Sequence, residues 1–284
     1  LGLGVSMFGC KTRHRKVRHH THVVSTLMQG CIGIFLVCFA STSMAATVTV
    51  NTGADFRSAD LGNGLEYIED VQHQLSFSDV ANTNDWKIFE GDALNFGFTD
   101  AAIWTRFDVN NATASNRRVI LEIAYPLLDT IDIQIQSRST SVFYTLGDHL
   151  PFIDRPIPHS KFLIPIELQP DDIAHVTMRV MTQTSLQMPL IIWDYNYFPE
   201  ADHQFSVFFG IFLGVLFGIA TYQMLIFLSV KELSFFYYSI FYYALLFIMA
   251  AFKGYPNSFL WPSYPEITDP VFIIAVCAAL TLAL

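Results

Sequence analysis

FSVFFGIFLGVLFGIATYQMLIFLSV, residues 205–230, is 26 residues long and carries no charge. A helix needs about 20 apolar residues to cross a bilayer. Beyond it, LSFFYYSIFYYALLFIMAAF (233–252) is a second uncharged run, of 20 residues. Only Lys231 and Glu232 separate the two runs. Helices joined so tightly fold back as an antiparallel hairpin. A buried hairpin inside a soluble core is the lesser reading. A third uncharged run, VFIIAVCAALTLAL (271–284), has 14 residues. We read it as a third span cut short, with further spans expected beyond it.

The rest of the chain is unlike this third. The whole sequence has 284 residues, a net charge of −9 and 52% hydrophobic residues. Residues 1–45 hold no Asp or Glu but carry Lys11, Arg13, Arg15, Lys16 and Arg18, then the apolar CIGIFLVCFA and the small-residue STSMAA. A basic stretch, a short apolar stretch and small residues describe a secretory signal peptide. An uncleaved anchor is the alternative. Residues 46–202 then hold 22 Asp and Glu against 9 Lys and Arg, a net of −13. That charge argues against nucleic acid, which needs a basic surface, and against docking on anionic lipid.

If the leader exports residues 46–200, the first span runs inward and Lys231 lies in the cytoplasm, the side that basic residues prefer. KGYPNSFLWPSYPEITDP (253–270) is then an external loop. Its Tyr255, Trp261 and Tyr264 suit a membrane interface, and its prolines interrupt a helix. No Asp, Glu, Lys, Arg or His falls within a span, which weighs against a proton-coupled transporter. Gly210, Gly214 and Gly218 form a small-residue stripe down the first span. Such a stripe lets another backbone approach closely. Packing inside one bundle is the favoured reading; a homodimer seam is the other.

In the exported region the dominant period is two. Ile131, Ile133 and Ile135 alternate with Asp132, Gln134 and Gln136; Phe162, Ile164, Ile166 and Leu168 share a face; so do Val176, Met178 and Val180. Strict alternation marks strands with one buried and one wet face. IWTRFDVN and RRVILEIAY alternate less strictly, and GLEYIED, WKIFEG, SVFYTLGD and PLIIWDY are further candidates. Roughly nine short strands and no long amphipathic helix predict an all-β sandwich or jelly roll. The expected fold is therefore an all-β jelly-roll domain over 46–200 followed by an α-helical transmembrane bundle with spans at 205–230, 233–252 and 271–284.

No catalytic pattern stands out, and no cofactor is expected. Asp129 and Asp132, three apart on an extended strand, face opposite ways and cannot share acid–base work. Asp148, Asp154 and Arg155 in GDHLPFIDRP predict a loop ion pair. His149, His159 and His175 lack metal-ligand spacing, and cysteines at 10, 31, 38 and 277 leave the exported region without a thiolate site; no metal is expected. Trp86, Trp104, Tyr125 and Trp193 are rings able to stack on sugar faces. Each alone more often fills a core.

Four stretches, AIWTRFDVNN, VILEIAYPLLDTIDIQI, LGDHLPFIDRPIPHSKFLIPIEL and LQMPLIIWD, taken in order, resemble the bacterial seven-transmembrane receptors with diverse intracellular signalling modules, and more narrowly their second type of extracellular domain. The resemblance covers roughly residues 55–284. Trp104, Arg106, Tyr125, Asp129, Asp148 and Arg155 stand at its motif positions. It implies a periplasmic jelly roll similar to carbohydrate-binding modules, seven spans in the inner membrane, and a cytoplasmic output module such as a diguanylate cyclase or a histidine kinase. The candidate ligand residues are Trp86, Trp104, Arg106, Tyr125, Asp129 and Arg155, for a small polar ligand such as a saccharide. The alternatives are a non-signalling membrane protein whose sandwich binds a protein partner, and a transporter accessory subunit.

Overall fold

The computed structural model of the chain describes residues 47–283; the expected signal peptide over 1–45 lies outside them. In chain order the elements are β1 (Thr49–Asn51), β2 (Ser58–Leu61), β3 (Glu66–Asp70), the short α1 (Phe77–Asn82), β4 (Lys87–Ile88), β5 (Leu94–Phe98), β6 (Ala102–Asn110) and β7 (Arg117–Ile123). There follow β8 (Thr130–Gln136), β9 (Ser141–Leu146), β10 (Phe162–Leu168), β11 (Ile173–Met181), β12 (Ser185–Met188) and β13 (Leu190–Asp194). Three long helices close the chain: α2 (Phe198–Val230), α3 (Leu233–Ala251) and α4 (Thr268–Ala283).

Two sheets face each other. The larger runs β4-β3-β6-β11-β8-β9, with β1 added in parallel to β6; the smaller runs β10-β7-β13-β2, and β5 pairs with β12 apart from both. The alternating residues explain the layering. Ile131, Ile133 and Ile135 from β8 and Val176, Met178 and Val180 from β11 point inward from the large sheet. They meet Val119, Leu121 and Ile123 from β7 and Phe162, Ile164, Ile166 and Leu168 from β10. One continuous core results, and the domain is a β-sandwich of jelly-roll type. Four strands lie outside the sequence-based set: β1, β2, β5 and β12.

On the outer side of the large sheet, α1 forms a second, smaller core. Its N-terminus is held by a reciprocal cap, in which Ser76 and Asp79 each accept from the other's backbone N–H. Val80 beneath it packs with Ile68, Trp86 and Trp104.

The helices obey a different solvent rule. All three helical segments are long and apolar enough to cross a membrane. Their outer surfaces stay uncovered by protein: Phe208 is 73% exposed and Ile274 66%. Patches this large mark a lipid or partner surface rather than a water-facing one. α2 and α3 form the expected hairpin, turned at Lys231, whose φ is +60 and whose N–H caps Phe227 O at 2.8 Å. Ser239 donates to Ala220 O at 2.9 Å across the pair, and Thr221 Oγ1 lies 3.1 Å from the Tyr243 hydroxyl.

Phe107 is fully buried at the centre of β6. We expect Phe107→Ala to lower stability by about 3–5 kcal/mol through the cavity it leaves. The half-exposed Phe143 on β9 should tolerate alanine at below about 1 kcal/mol. Thermal unfolding followed by intrinsic fluorescence separates the two.

Candidate functional site: the junction of sandwich and first helix

The outward face of the small sheet meets α2. Between Asp194, the last residue of β13, and Phe198, the first of α2, there are three residues. The segment DYNYFPEADHQ is thus mostly structure rather than tether. At 33 residues α2 spans about 50 Å, against about 30 Å of hydrocarbon. Its first turns stand clear and lie on the sheet. Phe198 packs there with Ile120 of β7 and Leu163 of β10, flanked by Ile157 and Trp193.

Glu122 belongs to the alternation of β7 and points outward with Ile120, yet the helix cover leaves it 2% exposed. A charge this deep needs full pairing. Lys161 Nζ lies 2.7 Å from its Oε1, and Trp193 Nε1 donates to its Oε2 at 2.6 Å. Lys161 also reaches Asp202 Oδ1 on α2 at 3.3 Å. Asp202 Oδ2 is met by His159 Nε2 at 3.1 Å and by the Ser206 hydroxyl at 3.2 Å. The Lys161 N–H donates to His159 Nδ1 at 3.1 Å, so the imidazole proton sits on Nε2, facing Asp202. Burial pushes the Lys161 ammonium down, and Glu122 and Asp202 more than offset it, leaving its pKa above the ordinary lysine value. Sheet, loop and helix are thereby joined by one polar chain.

A cleft of about 660 Å³ opens beside this chain, lined by Arg118, Ile120, Ile157, Tyr195, Phe198 and His203 among others. A smaller hollow of about 290 Å³ touches Glu122, Lys161, Trp193 and Lys253. A second contact lies at the loop after β9. Phe152 N–H donates to Pro262 O at 2.9 Å, Asn257 Nδ2 donates to Asp148 O at 3.3 Å, and His149 Nε2 lies 3.1 Å from Asp269. At Gly254, whose φ is +70, an added Cβ would stand 2.8 Å from Ser160 O, so only glycine permits this approach.

The sequence-based candidates fall in separate places. Trp86 and Trp104 are buried under α1, with Phe77 edge-on to Trp104 at 4.9 Å. They form core, not an open platform. Arg106 stacks on the Trp86 ring at 4.2 Å and pairs with the buried Glu66 at 2.6 Å. Tyr125 packs, half-buried, on the main core. Asp129 accepts from Thr182 Oγ1 at 3.1 Å and from Gln183 N–H at 2.9 Å. Arg155 forms no ion pair among the described residues, which corrects the expected loop pair with Asp148 and Asp154. It donates instead to His159 O at 2.8 Å and Ser160 O at 3.0 Å, and its guanidinium lies 4.4 Å from the Phe162 ring centroid. Two carbonyls and a ring face hold its guanidinium where the sequence offered only nearby carboxylates. At Gly210, Gly214 and Gly218 an added Cβ would meet nothing within 4 Å. The stripe is open, and no described helix packs on it.

What remains exposed on the large sheet is a polar ladder. Asp108 pairs with His175 at 2.7 Å, Asp132 with Arg179 at 3.4 Å and with Thr145 at 2.9 Å; Gln134 and Thr177 stand side by side between these rows. The exposed ring of Phe143 borders them. The junction residues Glu122, Lys161 and Asp202 were not singled out from sequence. The available signal was a lone carboxylate in the apolar run VILEIAY.

Residues 62–194 match the family described as 7TMR-DISM extracellular 2, and residues 205–284 match that described as 7TM diverse intracellular signalling. No curated protein matches the chain. Among solved structures the chain is similar to CBM35 from Cellvibrio japonicus Abf62, at 12% identity and a TM-score of 0.23, covering 50% of this chain and 93% of that one. It is similar to CBM35 from Paenibacillus barcinonensis at 15% identity and a TM-score of 0.23, covering 48% and 94%. TmCBM61 in complex with β-1,4-galactotriose gives 10% identity and a TM-score of 0.24, covering 50% and 89%. At TM-scores this low the likenesses say nothing about a ligand.

Removing Lys161 strands a buried carboxylate. Lys161→Met is expected to lower stability by about 3–5 kcal/mol. Adding Glu122→Gln should restore at least half of that loss, because the buried charge goes with its partner. Thermal unfolding of the single and double variants in nanodiscs measures this.

Proposed function

The chain belongs to the seven-transmembrane receptors with diverse intracellular signalling modules, and from that membership we propose that its sandwich senses a polar solute, such as a saccharide, on the periplasmic side of a bacterial inner membrane. The protein is part of a membrane sensory receptor. In this reading the solute lies on the polar ladder of the large sheet. Rows of strands about 4.8 Å apart present Gln134, Thr177, Asp132 and Arg179 as donors and acceptors, with Phe143 as a flanking ring.

The observation that carries the relay is the ion-paired seat of α2 on the small sheet. A sandwich joined to its first helix by Glu122, Lys161 and Asp202 has little room to move without it. Ligand binding biases such a unit only through unequal affinity for its two states. The open stripe of Gly210, Gly214 and Gly218 offers a seam for a further helix, from this chain or from a second copy. The signal then passes to an output module in the cytoplasm, and the described residues take no catalytic part.

Isothermal titration of the chain in nanodiscs against a panel of neutral and acidic saccharides tests the reading. We expect heat with at least one sugar and an affinity at least tenfold lower in Gln134→Ala/Thr177→Ala. Silence across the panel contradicts solute sensing by this face and favours a sandwich that binds a protein partner.

A further inference from the structure

We propose that Asp129, Asp148 and His149 form a site for a first-row divalent transition cation at the loop end of the sandwich, beside the start of the third membrane helix. The proposal goes beyond solute sensing and does not depend on it.

Fold geometry brings these residues together from two loops. Asp129 closes the loop before β8, and Asp148 and His149 follow β9. Those strands are paired, so their ends meet. Gly147 permits the last approach: a Cβ there would stand 2.0 Å from Asp129 O. The Asp148 N–H donates to Leu128 O at 2.9 Å and locks the register. One ligand atom from each of Asp129, Asp148 and His149 then lies within 4.8 Å of the others. Donors around a tetrahedral zinc ion stand roughly 3.3 Å apart, given bonds of about 2.0 Å. Side-chain adjustments of about an ångström close the difference.

Proximity of carboxylates is common without a ligand; the state of Asp148 is not. It is 7% exposed, and its Oδ1 has no hydrogen-bond partner among the described residues. That oxygen points toward His149, whose Nε2 is 4.0 Å away. A buried, unpartnered carboxylate oxygen costs stability unless a cation meets it. Three carboxylates, those of Asp129, Asp148 and Asp269, stand around one imidazole, and a divalent ion supplies the positive charge that such a cluster calls for.

The surroundings suit a coordinated ion. Asp129 is oriented by Thr182 and Gln183, the kind of outer support that metal-ligating carboxylates receive. Asp269, at the start of α4, lies 3.1 Å from His149 Nε2 and adds a third carboxylate to the field. A hollow of about 340 Å³ lined by His73, Asp129, His149 and Gln183 gives access from solvent. One imidazole among carboxylates selects zinc or a neighbouring transition ion over calcium, which prefers oxygen alone. Sequence spacing could not reveal the set, since Asp129 and Asp148 are 19 residues apart and meet only through strand pairing.

The test is zinc binding to the purified chain in nanodiscs at neutral pH, by titration against a chromophoric chelator. The wild type is compared with Asp148→Asn, which keeps the shape, and with His149→Ala at a half-exposed position. We expect each variant to lose one equivalent of bound zinc, or to bind it at least tenfold more weakly. Zinc should raise the melting temperature of the wild type and leave that of the variants unmoved. Equal zinc stoichiometry and affinity in the wild type and His149→Ala overturns the proposal, as does an unshifted wild-type melting temperature.

Discussion

A buried carboxylate that must be neutralised governs how this molecule is assembled. Glu122 occupies an outward position of the small sheet, where alternation alone would place it in water. The first helix lies over it instead, and Lys161 and Trp193 satisfy both its oxygens. Pairing of this kind adds little net stability compared with an apolar contact, but breaking it is costly. Its consequence is geometric: Lys161 has one productive place to stand, between Glu122 and Asp202, and so α2 has one productive seat. The apolar packing of Phe198 on Ile120 and Leu163 supplies adhesion; the charges supply register.

From that seat follows the relation of two halves built for different solvents. The sandwich buries apolar residues inward and turns polar rows to water. The helices do the reverse, with Phe208, Ile211 and Ile274 left outward. A flexible linker between such halves would let each settle independently. Three residues between β13 and α2, and a second contact through Asn257 and Gly254, leave no such freedom. For the proposed receptor role, stiffness here is what would let a change at the sandwich be felt by the bundle.

Much of this was legible in the sequence, for physical reasons that differ by element. The helical hairpin declared itself through long uncharged runs, because a bilayer tolerates little else. β8, β10 and β11 did so through strict alternation, because each has one wet face. β1, β2, β5 and β12 did not: they are three to five residues long, too short for alternation to stand out from chance. The short α1 hid behind its own brevity, although Ser76 and Asp79 spell its cap. Among candidate residues, Trp104 lies buried under the short helix α1, whose six residues were too few to show in the sequence. The junction was hidden for a related reason. Burial of Glu122 arises from a helix 76 residues farther along the chain, and no local pattern records it.

The direct test is amide hydrogen exchange over Phe198–Gln204 in the intact chain held in nanodiscs. If the first turns of α2 are seated on the small sheet by Glu122, Lys161 and Asp202, these amides lie outside the bilayer and still exchange as slowly as those of β7. Exchange within seconds, at the rate of an unpacked segment, would contradict the seat and with it the proposed coupling of sandwich to membrane.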